Sequence, residues 1–262
     1  MKGKNHTRLS QAIQKHRSST AIHRVGDESA EFIRAANEGH HINLGPGEPC
    51  LTEWKAAGLD LPDLPAMRQY RLERVVAQLQ RFDYGGILLF DPLNVRYATD
   101  STNMQLWVMH NGARYAYVSA DGYVIVWDYT NTEFLNGHSH VVDEVRPAVG
   151  VSYFLNGPRY PEIAERWVEE IYSVILHHQS PNTRLAVDVL HGPGHQLLAD
   201  KGIAVGFGYE VMEEARKLKG EDEVKAMRCA VHACETTMEE LRLSAVPGMT
   251  EREVWAFLHA GN

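Results

Sequence analysis

An amphipathic helix that leads straight into a short, wholly apolar run most constrains what this chain can fold into. Met67, Tyr70, Leu72, Val75, Val76, Leu79 and Phe82 recur at helical spacing, which lays one apolar stripe along a helix. Asp63 stands where a cap belongs and Gly85 follows the end. Residues 86–90 are then apolar throughout, bounded by Gly85-Gly86 and Asp91-Pro92. A strand with one wet face alternates in polarity, so a strand without alternation is covered on both faces. The expected fold class is therefore α/β, a mixed sheet with helices on both faces.

The rest of the pattern extends that layer. Strands are expected at 114–119, 123–127 and 141–146 as a meander, the first two joined across Ala120-Asp121-Gly122. Pro161 opens a helix with Ile163, Ala164, Trp167, Ile171, Val174 and Ile175 on one face. A buried strand at 184–187, a helix at 193–200 and a closing strand at 209–212 complete the expected domain, residues 64–216. Residues 1–63 are polar and interrupted by Gly45, Pro46, Gly47 and Pro49, and are expected to form an irregular arm. In 217–262 a long helix carries Val224, Met227, Val231, Cys234, Met238 and Leu241 as one narrow apolar seam that needs a partner. Pro247-Gly248 breaks it, and Thr250-Glu251-Arg252-Glu253 is a capping box for a further helix. Two apolar helices without a following sheet do not make a domain, so 217–262 is expected to be the start of a truncated one.

Composition removes several classes of function. The net charge is −8, and basic residues are scattered except near the start, which gives no footprint for nucleic acid. No apolar run approaches the ~20 residues needed to cross a bilayer. Three cysteines suit a reducing compartment, and a cytoplasmic location is expected. The first 24 residues are basic and lack an apolar stretch, which fits a solvated tail or an organellar transit peptide and excludes a secretory signal.

Short motifs of known chemistry are missing: the sequence has no phosphate loop, no H-E-x-x-H and no G-x-S-x-G. His138, His140 and Asp143 alternate along one strand face as metal ligands can, but no fourth ligand is nearby and a polar hairpin accounts for them. Cys229, His232 and Cys234 look ligand-like, yet the two thiols diverge around the helix, and core packing is the better account of them. His177 and His178 end a helix, where their partial charge suits the dipole. Asp188 ends a buried strand at the edge where α/β ligand crevices form, and a turn cap is its simpler role. The richest stretch is 91–107, leaving that same edge with Asn94, Arg96, Tyr97, Asp100, Asn103 and Trp107 in one loop-rich segment. Polar groups beside a large aromatic can form a pocket wall, and core packing of Tyr97 and Trp107 explains them equally well.

That segment, with Tyr84-Gly85-Gly86 before it and the residues 120–129 after it, resembles the N-terminal domain of the creatinase, prolidase and aminopeptidase P (M24) group. Within the group it resembles the bacterial dimethylsulfoniopropionate lyases. Residues 217–228 resemble the segment joining that domain to the catalytic "pita-bread" domain, and 230–235 and 254–259 resemble the first helices of the latter. The resemblance covers residues from about 50 onward. It implies a creatinase-type domain at 64–216, a small-molecule substrate and a homodimer. It also implies a divalent metal pair (iron, zinc or manganese) held by two Asp, one His and two Glu, all beyond residue 262. No catalytic or metal residue carries over, and the chain alone is expected to be inactive. Trp107 matches a pocket aromatic of the lyases, whose face can hold a sulfonium cation, and Tyr97 is a candidate neighbour in the same wall. The implied reaction removes a proton beside the substrate carboxylate and releases dimethyl sulfide and acrylate. An Xaa-Pro peptidase or creatinase-type hydrolase fragment, or a non-enzymatic binding or dimerisation module, stays open.

Overall fold

The computed structural model describes residues 46–104, 109–130, 132–178, 181–190 and 193–261. The described residues divide into two units, one within 68–218 and the other of 46–67 with 219–261.

The first unit is built on a six-stranded mixed sheet in the order β4-β3-β2-β1-β5-β6. Its strands are β1 (Gly86–Leu89), β2 (Tyr115–Ser119), β3 (Val124–Asp128), β4 (Glu144–Pro147), β5 (Leu185–Val187) and β6 (Val205–Phe207). β1 pairs antiparallel with β2 and parallel with β5, so it lies inside the sheet with every residue buried. Side chains alternate between two cores. Ile87, Leu89, Ala116, Val118, Val124, Val126 and Ala186 enter one, and Leu88, Phe90, Tyr115, Tyr117, Ile125, Trp127, Leu185 and Val187 enter the other, as the period of two requires.

Helices seal each face. On the aliphatic side lie α2 (Leu64–Arg81) with Leu72, Val75 and Leu79, α3 (Pro92–Thr99) with Val95 and Ala98, and α7 (Gly208–Arg216) with Val211, Met212 and Ala215. On the other side, after the short α4 (Tyr153–Asn156), α5 (Tyr160–His178) buries Ala164, Trp167, Val168, Ile171, Val174 and Ile175, joined by Leu198 of α6 (Gly194–Asp200). That face also carries an aromatic ladder: Phe90 stacks on Tyr115 at 5.0 Å and Tyr115 on Trp127 at 4.9 Å. Each such pair adds about 0.5–1.5 kcal/mol beyond its buried area. The α/β expectation with helices on both faces is met.

Three details differ from the expected pattern. β3 and β4 pair in parallel and do not continue a meander, because residues 129–143 supply the dozen or so residues that a parallel return needs. Residues 209–212 lie in α7, and the strand precedes them at Val205–Phe207; Val211, Met212 and Ala215 recur at helical spacing. Gly208 permits this switch, since a Cβ there would meet the Val187 carbonyl carbon at 2.5 Å. The 91–107 segment opens as helix α3, with Asp91 as N-cap and Pro92 in its first turn, the arrangement in which proline favours a helix.

In the second unit α1 (Glu48–Ala56) is a helix within the stretch expected to be irregular, and α8 (Glu221–Ser244) and α9 (Glu251–Gly261) follow later in the chain. The expected Thr250–Glu253 capping box forms, and α8 opens on a cap of its own. Gly220 donates its N–H to Glu223, and Thr250 and Glu253 exchange bonds of 2.7 and 3.3 Å. The face of α8 that packs is not the expected seam. Glu223, Cys229 and Thr237 are buried, whereas Val224, Met227, Val231 and Met238 are exposed. Cys234 is exposed too, so its expected place in the core is corrected. Cys229 sits 3.9 Å from the Asp60 carbonyl, Asp222 accepts the Asp63 N–H at 3.1 Å, and His232 Nε2 lies 3.2 Å from Glu53. Small and polar residues let residues 53–63 lie close along α8.

The double coverage of β1 makes a direct prediction. Leu88→Ala, fully buried, should lower unfolding stability by about 2–5 kcal/mol, while Leu93→Ala, 56% exposed, should change it by no more than about 0.5 kcal/mol. Urea denaturation of both variants checks this; equal shifts would contradict the two-sided burial.

Candidate functional site

The described part of the segment that leaves β1, residues 91–104, is fastened near its start and near its end by buried polar groups. At its start, Asp188 lies just past β5 and accepts N–H bonds from Phe90 at 2.8 Å, Asp91 at 3.1 Å and Val189 at 2.6 Å, with the Asn94 amide at 3.0 Å. Asn94 in turn accepts from Arg216 at 3.0 Å. Burial pushes the Asp188 carboxyl above the ordinary range, and these donors offset only part of that. Asp188 thus joins the carboxyl ends of β1 and β5 to the first turn of α3. This is a wider role than the cap of a single turn.

At the far end, α3 closes on Asp100 in the left-handed conformation, φ 52°, where Arg68 pairs with its carboxylate at 2.7 Å. His138 Nε2 lies 2.8 Å from the Asp100 carbonyl. Beyond it, Ser101 accepts from Arg114 Nη2 at 2.6 Å and donates to Asn136. Asn103 donates to Asp128 at 2.8 Å and to Thr132 at 3.3 Å.

Asp128 is the hub of this end. It is fully buried against Arg114, itself 2% exposed, at 2.9 Å. It also accepts from Asn136 at 3.1 Å, the Tyr129 N–H at 2.9 Å and Thr132 at 3.1 Å. Burial alone would raise its pKa; the Arg114 charge and these donors outweigh burial and hold it below the ordinary carboxylate range. The spacing of residues 101, 103, 114, 128 and 136 gave no hint of this cluster. One signal was available: Tyr115 pairs with Trp127, and carrying that antiparallel register one step outward sets Arg114 opposite Asp128.

Tyr97 is 8% exposed. Its hydroxyl donates to the Ala215 carbonyl at 3.1 Å, and the Arg71 guanidinium stands 5.3 Å from its ring centre. It packs among α2, α3 and α7 behind the segment. Trp107 lies outside the described residues. His138, His140 and Asp143 are not drawn together: His138 holds Asp100, His140 is exposed, and Asp143 accepts the Val124 N–H at 2.9 Å. His178 stacks on Tyr123 at 4.2 Å, so an aromatic contact accompanies its place at the helix end. Among the described residues no three His, Cys, Asp or Glu side chains are grouped to hold a metal ion, and no helix is long and apolar enough to cross a membrane. These residues therefore do not fit the metal pair that the resemblance implies.

Removing Asp128 should be costly. Asp128→Asn leaves the Arg114 charge buried without its counter-ion and should destabilise the unit by about 3–5 kcal/mol near neutral pH. Because the folded pKa is depressed, this contribution is present above the unfolded carboxylate value of about 3.9 and is lost as pH falls through the folded one. The gap between parent and variant should therefore narrow in acid. Denaturation midpoints from pH 7 to pH 2.5 check it; a gap that widens in acid would contradict the assignment.

No family model matches the chain. It is 45% identical over 231 residues to the dimethylsulfoniopropionate lyase DddP of Roseovarius nubinhibens. It is 42% identical over 231 residues to the lyase of the same name from Roseobacter denitrificans. Each alignment covers 86% of this chain and 52% of the relative, so the chain spans about half the length of the curated relatives it matches. Among solved structures, the prolidase of Thermococcus sibiricus superposes with a TM-score of 0.53 at 16% identity, covering 73% of this chain and 48% of that one. The Xaa-Pro dipeptidase of Bacillus anthracis gives 0.51 at 16%, covering 74% and 48%. These two share the fold, and the sequence identity lies with the lyases. By sequence the chain is similar to these dimethylsulfoniopropionate lyases, and its fold is shared with the prolidase and Xaa-Pro dipeptidase structures.

Proposed function

We propose that this chain is the substrate-pocket and dimerisation portion of a metal-dependent dimethylsulfoniopropionate lyase that forms dimethyl sulfide and acrylate. One observation carries the reading: identity of 45% over 231 residues to a lyase of that name, against 16% to the dipeptidase and prolidase that share the fold. In the reaction a base takes the proton on the carbon beside the carboxylate. The C–H electron pair becomes the new double bond, and the C–S pair leaves with sulfur. No described residue is placed to be that base, and the divalent metal pair (iron, zinc or manganese) belongs with residues other than those described.

On this reading residues 64–216 form the creatinase-type domain and residues 217–262 begin the metal-binding one, in a cytoplasmic homodimer. The domain contributes a wall, not a reacting group. Trp107 offers the sulfonium an aromatic face, a contact worth up to about 2 kcal/mol when desolvated. Tyr97 supports the same wall from behind, held by Ala215 and Arg71. The dipeptidase fold supports a second reading, hydrolysis of Xaa-Pro peptides by a metal-activated water, and the same experiment separates the two.

The chain loaded with iron, zinc or manganese should release no dimethyl sulfide by itself. Exchanged for the matching stretch of the Roseovarius enzyme, it should yield a protein that converts dimethylsulfoniopropionate to dimethyl sulfide and leaves Xaa-Pro dipeptides intact. Trp107→Ala in that protein should lower kcat/KM by about 30-fold, the equivalent of the lost aromatic contact. An exchange product that cleaves Xaa-Pro dipeptides and releases no sulfide would establish the hydrolase instead.

A further inference from the structure

One face of α8 is packed and the opposite one is open. Glu223, Cys229 and Thr237 are buried, on the side that meets residues 53–63. The other face carries Val224, Met227, Val231, Cys234, Met238 and Leu241, which step alternately by three and four residues. Val224, Met227, Val231 and Met238 are 36% to 54% exposed, and Cys234 is exposed with them. A helix covered by a broad core shows a wider apolar stripe, whereas a strict three-four seam is the pattern of one helix paired with another. This seam is about 26 Å long at 1.5 Å per residue.

The seam and its flanking charges identify the other helix. Turned end for end about the point between His232 and Ala233, the seam sets Val224 against Leu241, Met227 against Met238 and Val231 against Cys234. Beside it Glu221, Arg228, Glu235 and Arg242 recur every seven residues, all exposed. In an antiparallel pair like edges face each other. Glu221 then meets the partner's Arg242, and Arg228 the partner's Glu235, each offset by about 3 Å along the axis. A parallel pair would set Glu223, Ala230 and Thr237 against that edge instead. Only Glu223 of these is charged, and it is buried and bonded to Gly220. We infer that α8 pairs antiparallel with α8 of a second copy of this chain. The inference goes beyond the lyase reading, for it uses no substrate or metal contact and gives the homodimer a defined interface. Glu221 and Arg242 also have neighbours in their own helix, Lys225 at 2.9 Å and Glu239 at 2.6 Å, so the inner Arg228–Glu235 pairs are the ones to test.

The test is sedimentation equilibrium of the 262-residue chain and its variants from about 1 to 200 μM, with circular dichroism to check each fold. The substituted side chains are exposed, so a single chain does not need them to fold. The parent should interconvert between monomer and dimer. Arg228→Glu sets like charges together twice in each dimer and should weaken association by about tenfold, and Glu235→Arg should do the same. An equimolar mixture of these two variants restores opposite charges at both places and should associate about tenfold more tightly than either alone. Val231→Lys should leave a monomer at every concentration. A parent that stays monomeric throughout would assign the seam to a different helix and overturn the inference. So would a mixture no tighter than its components, or charge variants that associate as the parent does. A dimer that persists in Val231→Lys would overturn this interface and leave the homodimer of the lyase reading standing.

Discussion

Covering β1 on both faces is the constraint from which the rest of the first unit follows. Four buried residues in a row cannot alternate with water, so Ile87 and Leu89 need one layer of helices and Leu88 and Phe90 another. Each layer then sets its own chemistry. The side under α2, α3 and α7 is packed with valine, alanine and leucine, which lets helices approach closely. The side under α5 is filled by Tyr115, Tyr117, Trp127 and Trp167, whose bulk matches one long helix lying across the strands. Parallel pairing of β1 with β5 and of β5 with β6 brings their carboxyl ends to one edge. The chain leaves β1 there by way of Asp91, and leaves β5 by way of Asp188.

Much of this was legible in the sequence because it rests on local periodicity. The stripe from Met67 to Phe82, the run at 86–90 and the Thr250–Glu253 box needed only neighbours in the chain to be understood, and each forms as read. What was not legible depended on distant partners. Residues 209–212 looked like a strand because the helical spacing of Val211, Met212 and Ala215 is short, and the turn into that helix rests on Gly208 against the Val187 backbone, a contact no local pattern reports. The seam of α8 looked buried because its residues are large and apolar. Its packed face is instead chosen by what residues 53–63 can lie against, and Cys229, not Cys234, is covered.

The candidate site divides along the same line. The 91–107 stretch stood out by composition, and the structure gives it a helix and two anchors. Tyr97 could be seen as aromatic but not as the residue whose hydroxyl closes on Ala215, since that bond joins positions over a hundred residues apart. Arg114 and Asp128 were reachable in principle, through the hairpin register, because opposite charges facing across an antiparallel pair are a local consequence of Asp121-Gly122 setting the turn. Reading the register as well as the strands would have found them.

The two anchoring carboxylates show why the ends of the segment behave differently although both are buried and hold several donors. Asp128 has a full positive charge 2.9 Å away, and attraction in a medium of low polarity overcomes its loss of water. Asp188 accepts only backbone and amide dipoles, which do not, so its pKa moves up while that of Asp128 moves down. The signs oppose each other in folding. Above the ordinary carboxylate range the ionised Asp128 adds stability, whereas ionising Asp188 subtracts it as pH rises through its raised folded value. The end near Asn103 is therefore fixed by charge and is most secure near neutrality. The end near Asn94 is fixed by hydrogen bonds to a carboxyl that ionises against its surroundings, and rigidity along the segment rests on the Arg114–Asp128 pair.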